Sequence, residues 1–437
     1  MKYDDLLKLL RKRVSVRRFD ETAVETVVIN KLLKAGQRTI ASCSANPCQF
    51  QIIQNERDRR QIVDFWQEFY RDNFYIEQTR IDALRLPFLR QVETDPPFMN
   101  APVFILATGN RAVYDQEKVS EAFYHNRGGA EALYMYDMAI ATYSLILAAT
   151  ALGLGSLWVS VGRNWDANIK NLLHISSQID IHTLIAVGYP GYQPEESKRR
   201  NLVEMVHWEK YNVDLYRTNE DIINFLHNLR KITEPHYLQT KDRISSRKEH
   251  DTKSTKNFAD YLNLLDNTYS NAAFAENLIH QEDITRVLEA SRWTMSGANA
   301  QPWEFLIVQT RNGRKKIISS ESDLALQSET LKSMCSTETD HFRKAPAYIL
   351  VLGDKRVFQA TVLGASFLQT DGAGDAIYYK NMANVILTVR LASASLGMMT
   401  ICKFVGHQWE DNLKSAFNIP RLMDIHRIIA LGFPEDS

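Results

Sequence analysis

Residues 9–54 read LLRKRVSVRRFDETAVETVVINKLLKAGQRTIASCSANPCQFQIIQ, and residues 264–309 read LLDNTYSNAAFAENLIHQEDITRVLEASRWTMSGANAQPWEFLIVQ. They align without a gap at a constant offset of 255 (264 − 9). Leu9/Leu264, Ser15/Ser270, Phe19/Phe274, Ala35/Ala290, Pro47/Pro302 and Phe50/Phe305 coincide. The chain is therefore written twice. The first copy keeps arginines that the second lacks, and the second keeps an Asn-Ala-Gln-Pro-Trp stretch that the first has lost. Complementary losses of this kind imply one working site built from both halves.

The repeat resumes with EALYMYDMAIATYSLILAATALGLG (131–155) over DAIYYKNMANVILTVRLASASLGMM (375–399), now at an offset of 244 (375 − 131). Both stretches have helical periodicity, ending at Gly153 and Gly397 as C-caps. An apolar strand follows in each copy, LWVSVGRNW and TICKFVGHQW. Each copy closes on a further strand and a Gly-aromatic-Pro turn, LIAVGYP and IIALGFP. In the early block, 3–12 is an amphipathic helix. A second helix starts near Glu21 and Thr22, and FQIIQ is a strand. Helices and strands in this order make an α+β fold, not an alternating βαβ one. The domains are expected at 1–217 and 258–437, joined by a helix and charged linker at 218–257, with 235–258 solvated. The aromatic-rich helices of 60–98 pack in the core in preference to forming a lid.

A chain of 437 residues is too long for one ordinary core and suits two. No run approaches about 18 uninterrupted apolar residues, so no membrane span is expected. MKYDDLLKLLRKR reads as a charged helix start and not a secretory signal. A formal net charge of +0 gives no footprint for nucleic acid. The cysteines, Cys43, Cys48, Cys335 and Cys402, form no CxxC pair and no metal spacing, which suits a reducing cytoplasm. Cys43 and Cys48 read as inert packing thiols.

Three stretches can carry chemistry. Arg13-x-Ser15-x-Arg17 offers guanidinium forks and a hydroxyl at a helix end, suited to a phosphate and a polar ring edge; a solvated basic turn is the plain alternative. Ser296-Gly-Ala-Asn299-Ala-Gln-Pro-Trp-x-Phe305 lets backbone approach a flat ligand, and Asn299 can donate and accept at a heterocycle edge. Trp303 and Phe305 read as anchors of the following strand. Lys198-Arg199-Arg200 is a second phosphate clamp or a basic surface patch. GLGSLW follows a helix and lacks a third glycine, which excludes a dinucleotide fingerprint.

Together these stretches resemble the FMN-dependent nitroreductase superfamily: RVSVRRF, ALGLG, VGYP and KRR in the first half, SGANAQPWEF and LGFP in the second. The resemblance covers roughly 1–210 and 258–437. It implies two nitroreductase-like domains, each a mixed central sheet flanked by helices, packed as an internal pseudo-dimer with FMN at the interface. Carried over, Arg13, Ser15, Lys198 and Arg200 hold the phosphate and ribityl chain, with Val14 against the cofactor. Arg17 lies near the pyrimidine edge and N1 of the flavin. Gly162 approaches the ring by its backbone, and Ser296, Gly297 and Asn299 come from the other half. The resemblance also implies ping-pong reduction by NAD(P)H and transfer to a small organic acceptor. The sequence identifies no protein acid or base.

The departures concern the mirror-image site. Thr268 stands for Arg13 and Ala272 for Arg17, and no basic tail follows Pro434. Ser44, Asn46 and Cys48 stand for Asn299, Gln301 and Trp303. A phosphate without cationic partners costs too much desolvation to bind there, so one FMN per chain is expected. Two other readings fit the family. One is a dehydrogenase or oxidase acting on azolines or peptides, in which the adjacent Tyr378, Tyr379 and Lys380 could take part. The other is a non-catalytic protein that sequesters flavin. The segments expected to set substrate choice are 60–98, 112–128 and 321–345. The functional unit is a monomeric pseudo-dimer or a further homodimer.

Overall fold

Tyr3, Leu6, Leu9 and Leu10 recur at helical spacing and are the buried face of the first helix, with Asp4 and Asp5 in its first turn and Arg11 and Lys12 in its last, matching the helix dipole. The computed structural model describes residues 1–39, 46–72, 82–116, 128–161, 163–192, 194–239, 252–268, 273–320, 340–359 and 373–435. The first half runs α1 (Tyr3–Lys12), α2 (Thr26–Gln37), β1 (Cys48–Ile53), α3 (Glu56–Asp72), α4 (Asp82–Thr94), β2 (Val103–Gly109), α5 (Gly129–Ala151), β3 (Gly155–Val159), α6 (Arg163–Leu173) and β4 (Asp180–Gly188). After β5 (Val206–Trp208) and α7 (Asn219–Gln239), the second half runs α8 (Thr252–Asp266), α9 (Gln281–Arg292), β6 (Trp303–Val308), α10 (Arg311–Ser320), β7 (Ala347–Asp354), α11 (Arg356–Gln359), α12 (Ala373–Ser395), β8 (Met399–Lys403), α13 (His407–Phe417) and β9 (Met423–Gly432).

The repeat seen in the sequence is repeated in space. One sheet has the order β1-β2-β4-β3, and the other β6-β7-β9-β8 with β5 added beside β6. Both are antiparallel, apart from the parallel β5–β6 pair. Even the irregularities correspond: β2 shifts register between Ala107 and Thr108, and β7 between Val351 and Leu352. Gly153 and Gly397 end their helices at φ 80° and 78°, a conformation that costs glycine nothing. The chain is thus α+β, two domains of one topology.

Each sheet has two buried faces. On the outer face of the first, α3 and α6 place Ile62, Val63, Trp66, Trp165 and Ile169 against Phe104, Leu106 and Leu184. The aromatics of 60–72 are therefore core, as expected; residues 73–81 lie outside the described residues. On the second sheet α10 and α13 do the same with Ile317, Trp409, Leu413 and Phe417. The inner faces share one continuous core, in which Ile105 and Val187 of one sheet and Phe305 and Val351 of the other belong with α1, α2, α5, α8, α9 and α12. The helices α5 and α12 pack on each other there. Helix α5 is long and apolar enough to cross a membrane, but 89% of its apolar window is buried inside the protein.

Three expectations change. Helix α2 starts at Thr26, because Asp20 Oδ1 accepts from the Thr22 backbone at 2.8 Å and makes a side-chain turn of the segment before it. Both ends of the stretch read as a solvated linker are helical, in α7 and α8, and 240–251 lies outside the described residues. The tail after Pro190, continuous with the first domain in sequence, crosses to the second and gives its sheet β5.

That crossing is fastened by a buried polar network. Glu304 of β6 accepts from Arg200 Nη2 at 3.2 Å and from the Tyr211 hydroxyl at 2.8 Å, and His207 Nε2 lies 3.2 Å away. Burial pushes the Glu304 pKa up, but the His207 hydrogen bond and the charges of Arg200 and Arg217 outweigh it and hold the carboxyl at about 2. This lies below the roughly 4.3 of an unfolded glutamate. The stability it contributes is present above that value and lost as pH falls toward 2. Glu304→Ala, which leaves Arg200 buried without its partner, should cost about 3–5 kcal/mol. The Tm difference from wild type should narrow between pH 5 and pH 2.5, and a constant difference would mean that packing, not charge, is responsible.

Candidate functional site

The Arg13–Arg17 turn leaves α1 in an extended conformation, with the Arg13 N–H on the Leu9 carbonyl. It then lies along β3: Ser15 bridges Ser156, and the Val16 N–H donates to the Ser156 carbonyl at 3.0 Å. Gly155 permits this approach, since a Cβ there would come within 2.7 Å of Val16. The second copy has Met399 at that position (155 + 244). Arg13 is 5% exposed, and Arg17 Nη1 donates back to the Ser15 carbonyl at 3.2 Å. Val14 packs partly buried on the outer core.

The Ser296–Gln301 loop of the second half is held in an uncommon conformation. Ala298, Asn299 and Gln301 have φ of 48°, 55° and 47°, each a left-handed position that a side chain disfavours. Ser296 Oγ accepts from the Gln301 N–H at 3.0 Å, and Asn381 Oδ1 from the Gly297 N–H at 3.1 Å. Trp303 and Phe305, both fully buried, anchor the strand that follows.

The crossing tail brings the two half-sites together. Asn299 Nδ2 donates to the Lys198 carbonyl at 2.8 Å, and its Oδ1 accepts from Arg199 Nη1 at 2.5 Å. Arg199 Nη2 reaches the Trp293 carbonyl at 3.1 Å. Arg199 has no carboxylate within ion-pair distance among the described residues, and its buried Nε has no hydrogen-bond partner there. Burial, then the neighbouring Arg13 charge, pulls its pKa down to about 9. Arginine does not release its proton under ordinary conditions, so the shift records a charge that is buried first of all and has a like charge near it.

Arg200 does not join this cluster. Its guanidinium is 3% exposed and bound to Glu304 and to the Gln301, Trp303 and Glu204 carbonyls. The guanidinium expected to hold phosphate is thus engaged within the protein at Arg200, while Arg199, its neighbour in the same basic triplet, is the one that feels the Arg13 charge. Only the alternation of side chains along the tail distinguishes them. Gly162, Cys43 and Ser44 lie outside the described residues, as does most of 321–345. Cys48 is described, and burial pushes its thiol pKa up to about 12, which makes it unreactive.

The residues at the mirror-image positions are engaged with one another and with their own half. Thr268 is buried, its hydroxyl on the Leu265 carbonyl at 2.7 Å and its own carbonyl on Arg390 Nη2 at 2.9 Å. Arg427 lies with its guanidinium 3.2 Å over the Phe404 ring and 4.2 Å over Tyr136, and donates to the His426 carbonyl at 2.7 Å. At the offset of 244, Arg427 corresponds to Thr183 and Phe404 to Ser160. Small side chains in the first half stand where the second has large ones.

A sequence profile of the Nitroreductase family matches residues 10–189 and 266–433, one match to each copy. A protein from Archaeoglobus fulgidus carrying the name NADH dehydrogenase/NAD(P)H nitroreductase is 21% identical over 212 residues, 48% of this chain and 99% of the relative. A protein of the same name from Methanothermobacter thermautotrophicus is 23% identical over 192 residues, 44% of this chain and 80% of the relative. Among solved structures, oxidised iodotyrosine deiodinase bound to FMN and 3-iodo-L-tyrosine superposes with a TM-score of 0.35 at 19% identity, covering 46% of this chain and 95% of that one. An FMN-dependent nitroreductase from Clostridium difficile R20291 superposes with a TM-score of 0.31 at 20% identity, covering 48% and 97%. With both of its copies matched, over more than half of its length, the chain belongs to the Nitroreductase family.

Proposed function

We propose that the chain is an FMN-dependent oxidoreductase of the nitroreductase type, with one composite flavin site between its halves. The observation that carries this reading is the meeting of Arg13 and Arg199 from the first half with the Asn299 loop of the second. Two guanidinium groups near enough to feel each other's charge, with no ion pair to Arg199 among the described residues, suit a phosphate. The strained loop presents backbone to a flat ring, and Asn299 ties it to the same tail that carries Arg199. Family membership and the names of the two archaeal relatives support FMN and a reduced nicotinamide.

In this reading Arg13, Ser15, Lys198 and Arg199 hold the phosphate and ribityl chain, with Val14 against them. Arg17 lies toward the pyrimidine edge, Gly162 lies against the ring, and Ser296, Gly297 and Asn299 contact it from the other half. Bound there, FMN would take two electrons from NAD(P)H and pass them to a small organic acceptor. The protein's part is to bind, orient and exclude water, and no side chain is assigned as acid or base. The altered residues at the mirror-image positions support one flavin per chain, an internal pseudo-dimer that is active as a monomer or in a further homodimer. The reading places the chain in a reducing cytoplasm, where Cys48 and Cys402 remain thiols.

The purified, FMN-reconstituted chain should release close to one FMN per chain on denaturation. Arg13→Ser should weaken FMN binding about ten- to hundred-fold, the equivalent of one lost charge-assisted contact. Thr268→Ser, at the mirror position, should leave it unchanged. Two FMN per chain, or equal losses in both variants, would sink the composite site. Under anaerobic conditions NADH or NADPH should bleach the visible band of the bound flavin. A flavin that neither nicotinamide reduces would point instead to an oxidase or a sequestering protein.

A further inference from the structure

Lys380 sits in α12 between two residues that support the Asn299 loop. Asn381 Oδ1 accepts from the Gly297 N–H, and Ile377 Cγ2 lies 3.1 Å from where a Cβ on Gly297 would stand. From there the Lys380 ammonium crosses to the first half and donates to the His182 carbonyl on β4 at 3.0 Å. That is its one hydrogen bond among the described residues, although an ammonium has three donors. Two more polar groups beside it stand without hydrogen-bond partners there: His182 Nε2 and Asn381 Nδ2. His182 is 5% exposed and Asn381 4%, so bulk water does not serve them. Buried groups of this kind ordinarily have partners.

The mirror position pairs the corresponding residues differently. At the offset of 244, Tyr136 stands for Lys380, His426 for His182 and Asp137 for Asn381. The Tyr136 hydroxyl pairs with His426 Nδ1, and Asp137 accepts from the Tyr114 hydroxyl at 2.7 Å. Around Lys380 an amine, an amide nitrogen and an imidazole nitrogen have donor or acceptor capacity left over, and no carboxylate pairs with Lys380 among the described residues.

We propose that Lys380, with Asn381 and His182 beside it, is the specificity-determining residue that binds a carboxylate carried by a planar aromatic acceptor next to the flavin. This rests on the FMN reading and names a substrate class for that site. A half-buried ammonium with unused donors and no ion-pair partner among the described residues is well served by an anion, and a carboxylate accepts from it. His182 does not compete as a cation: burial, and then the Lys380 charge, holds its pKa well below the ordinary imidazole range. Burial also brings the Lys380 pKa down to about 8. The other titratable groups around it are Tyr379 on its own helix and, beyond that ring, the Tyr136–His426 pair on α5 and β9. Its charge is therefore present below about pH 8 and lost above it, and anion recognition should follow.

The test is titration of the oxidised, FMN-loaded full chain with benzoate and with benzamide, its neutral counterpart, read by the change in flavin absorbance. At pH 6.5 the wild type should bind benzoate at least tenfold more tightly than benzamide. Lys380→Met should bind FMN normally and lose that preference, while Lys380→Arg should keep it. In the wild type, which needs no substitution, the preference should fade as pH rises from 7 to 9. Equal binding of the two probes by the wild type overturns the proposal, as does a preference that survives in Lys380→Met or does not change with pH. FMN content is measured first, so a chain that takes up no FMN is recognised as failing the flavin reading itself, and this inference falls with it.

Discussion

Helix α5 is apolar around its whole circumference, and a helix of that kind must be covered on every side. Its own sheet and α2 cover part of it, and α12 of the other half covers the rest. The two halves therefore share a core instead of meeting across a surface. Truncating a buried leucine such as Leu145, at about 2–5 kcal/mol for a Leu→Ala change in a core, would be felt in both. The tail is a second fastening. Strand β5 adds to the edge of the second sheet, and Arg200, His207 and Tyr211 from the first copy's sequence complete the environment of Glu304.

This shared core explains how the two sites came to differ. In a symmetric homodimer each substitution appears at both interface sites at once, so a side chain that filled one would fill the other. A fused chain is free of that constraint. Arg427 stacks on Phe404 in the second half, where the first half has Thr183 and Ser160 at the corresponding positions. Arg390 likewise fastens the Thr268 turn in the second half, where Ile146 stands in the first. The topology is kept in both copies because the core requires it. The arginines of the first turn and the Asn-Ala-Gln-Pro-Trp stretch each occur in one copy.

What the sequence revealed followed from how each feature is encoded. The repeat, the long helices and the buried strands were legible because burial is written as periodicity over many residues: all ten residues of β9 are buried, and α5 and α12 have 23 residues each. Strand β5 has three residues and takes its partner from the other half, so no local pattern announces it. The choice between Arg199 and Arg200 was hidden for a related reason. Both are arginines in one basic triplet, and only Glu304, a hundred residues away in sequence, decides which is drawn inward. Arg427 in the second half was equally invisible, since an arginine inside an apolar strand reads as an anomaly until Phe404 and Tyr136 are seen to flank it. The start of α2 was misplaced because Asp20–Thr22 forms a turn with the same residue types that begin helices.

The distribution of positive charge gives a final distinction between the two sites. Arg427 is buried, but aromatic faces lie on two sides of it and a carbonyl meets it on another, so its surroundings are complete without any ligand. Arg199 also has an aromatic face and a carbonyl, those of Trp293, and burial lowers the pKa of both arginines; what differs is that the like charge of Arg13 is the second cause at Arg199. Such a pair opposes folding in proportion to its proximity and burial. Nothing in the packing of the half-site requires it, because the second copy folds to the same topology with threonine in place of Arg13. On the proposed flavin reading, the phosphate is the anion that would balance this pair of like charges, which the topology of the half-site does not require.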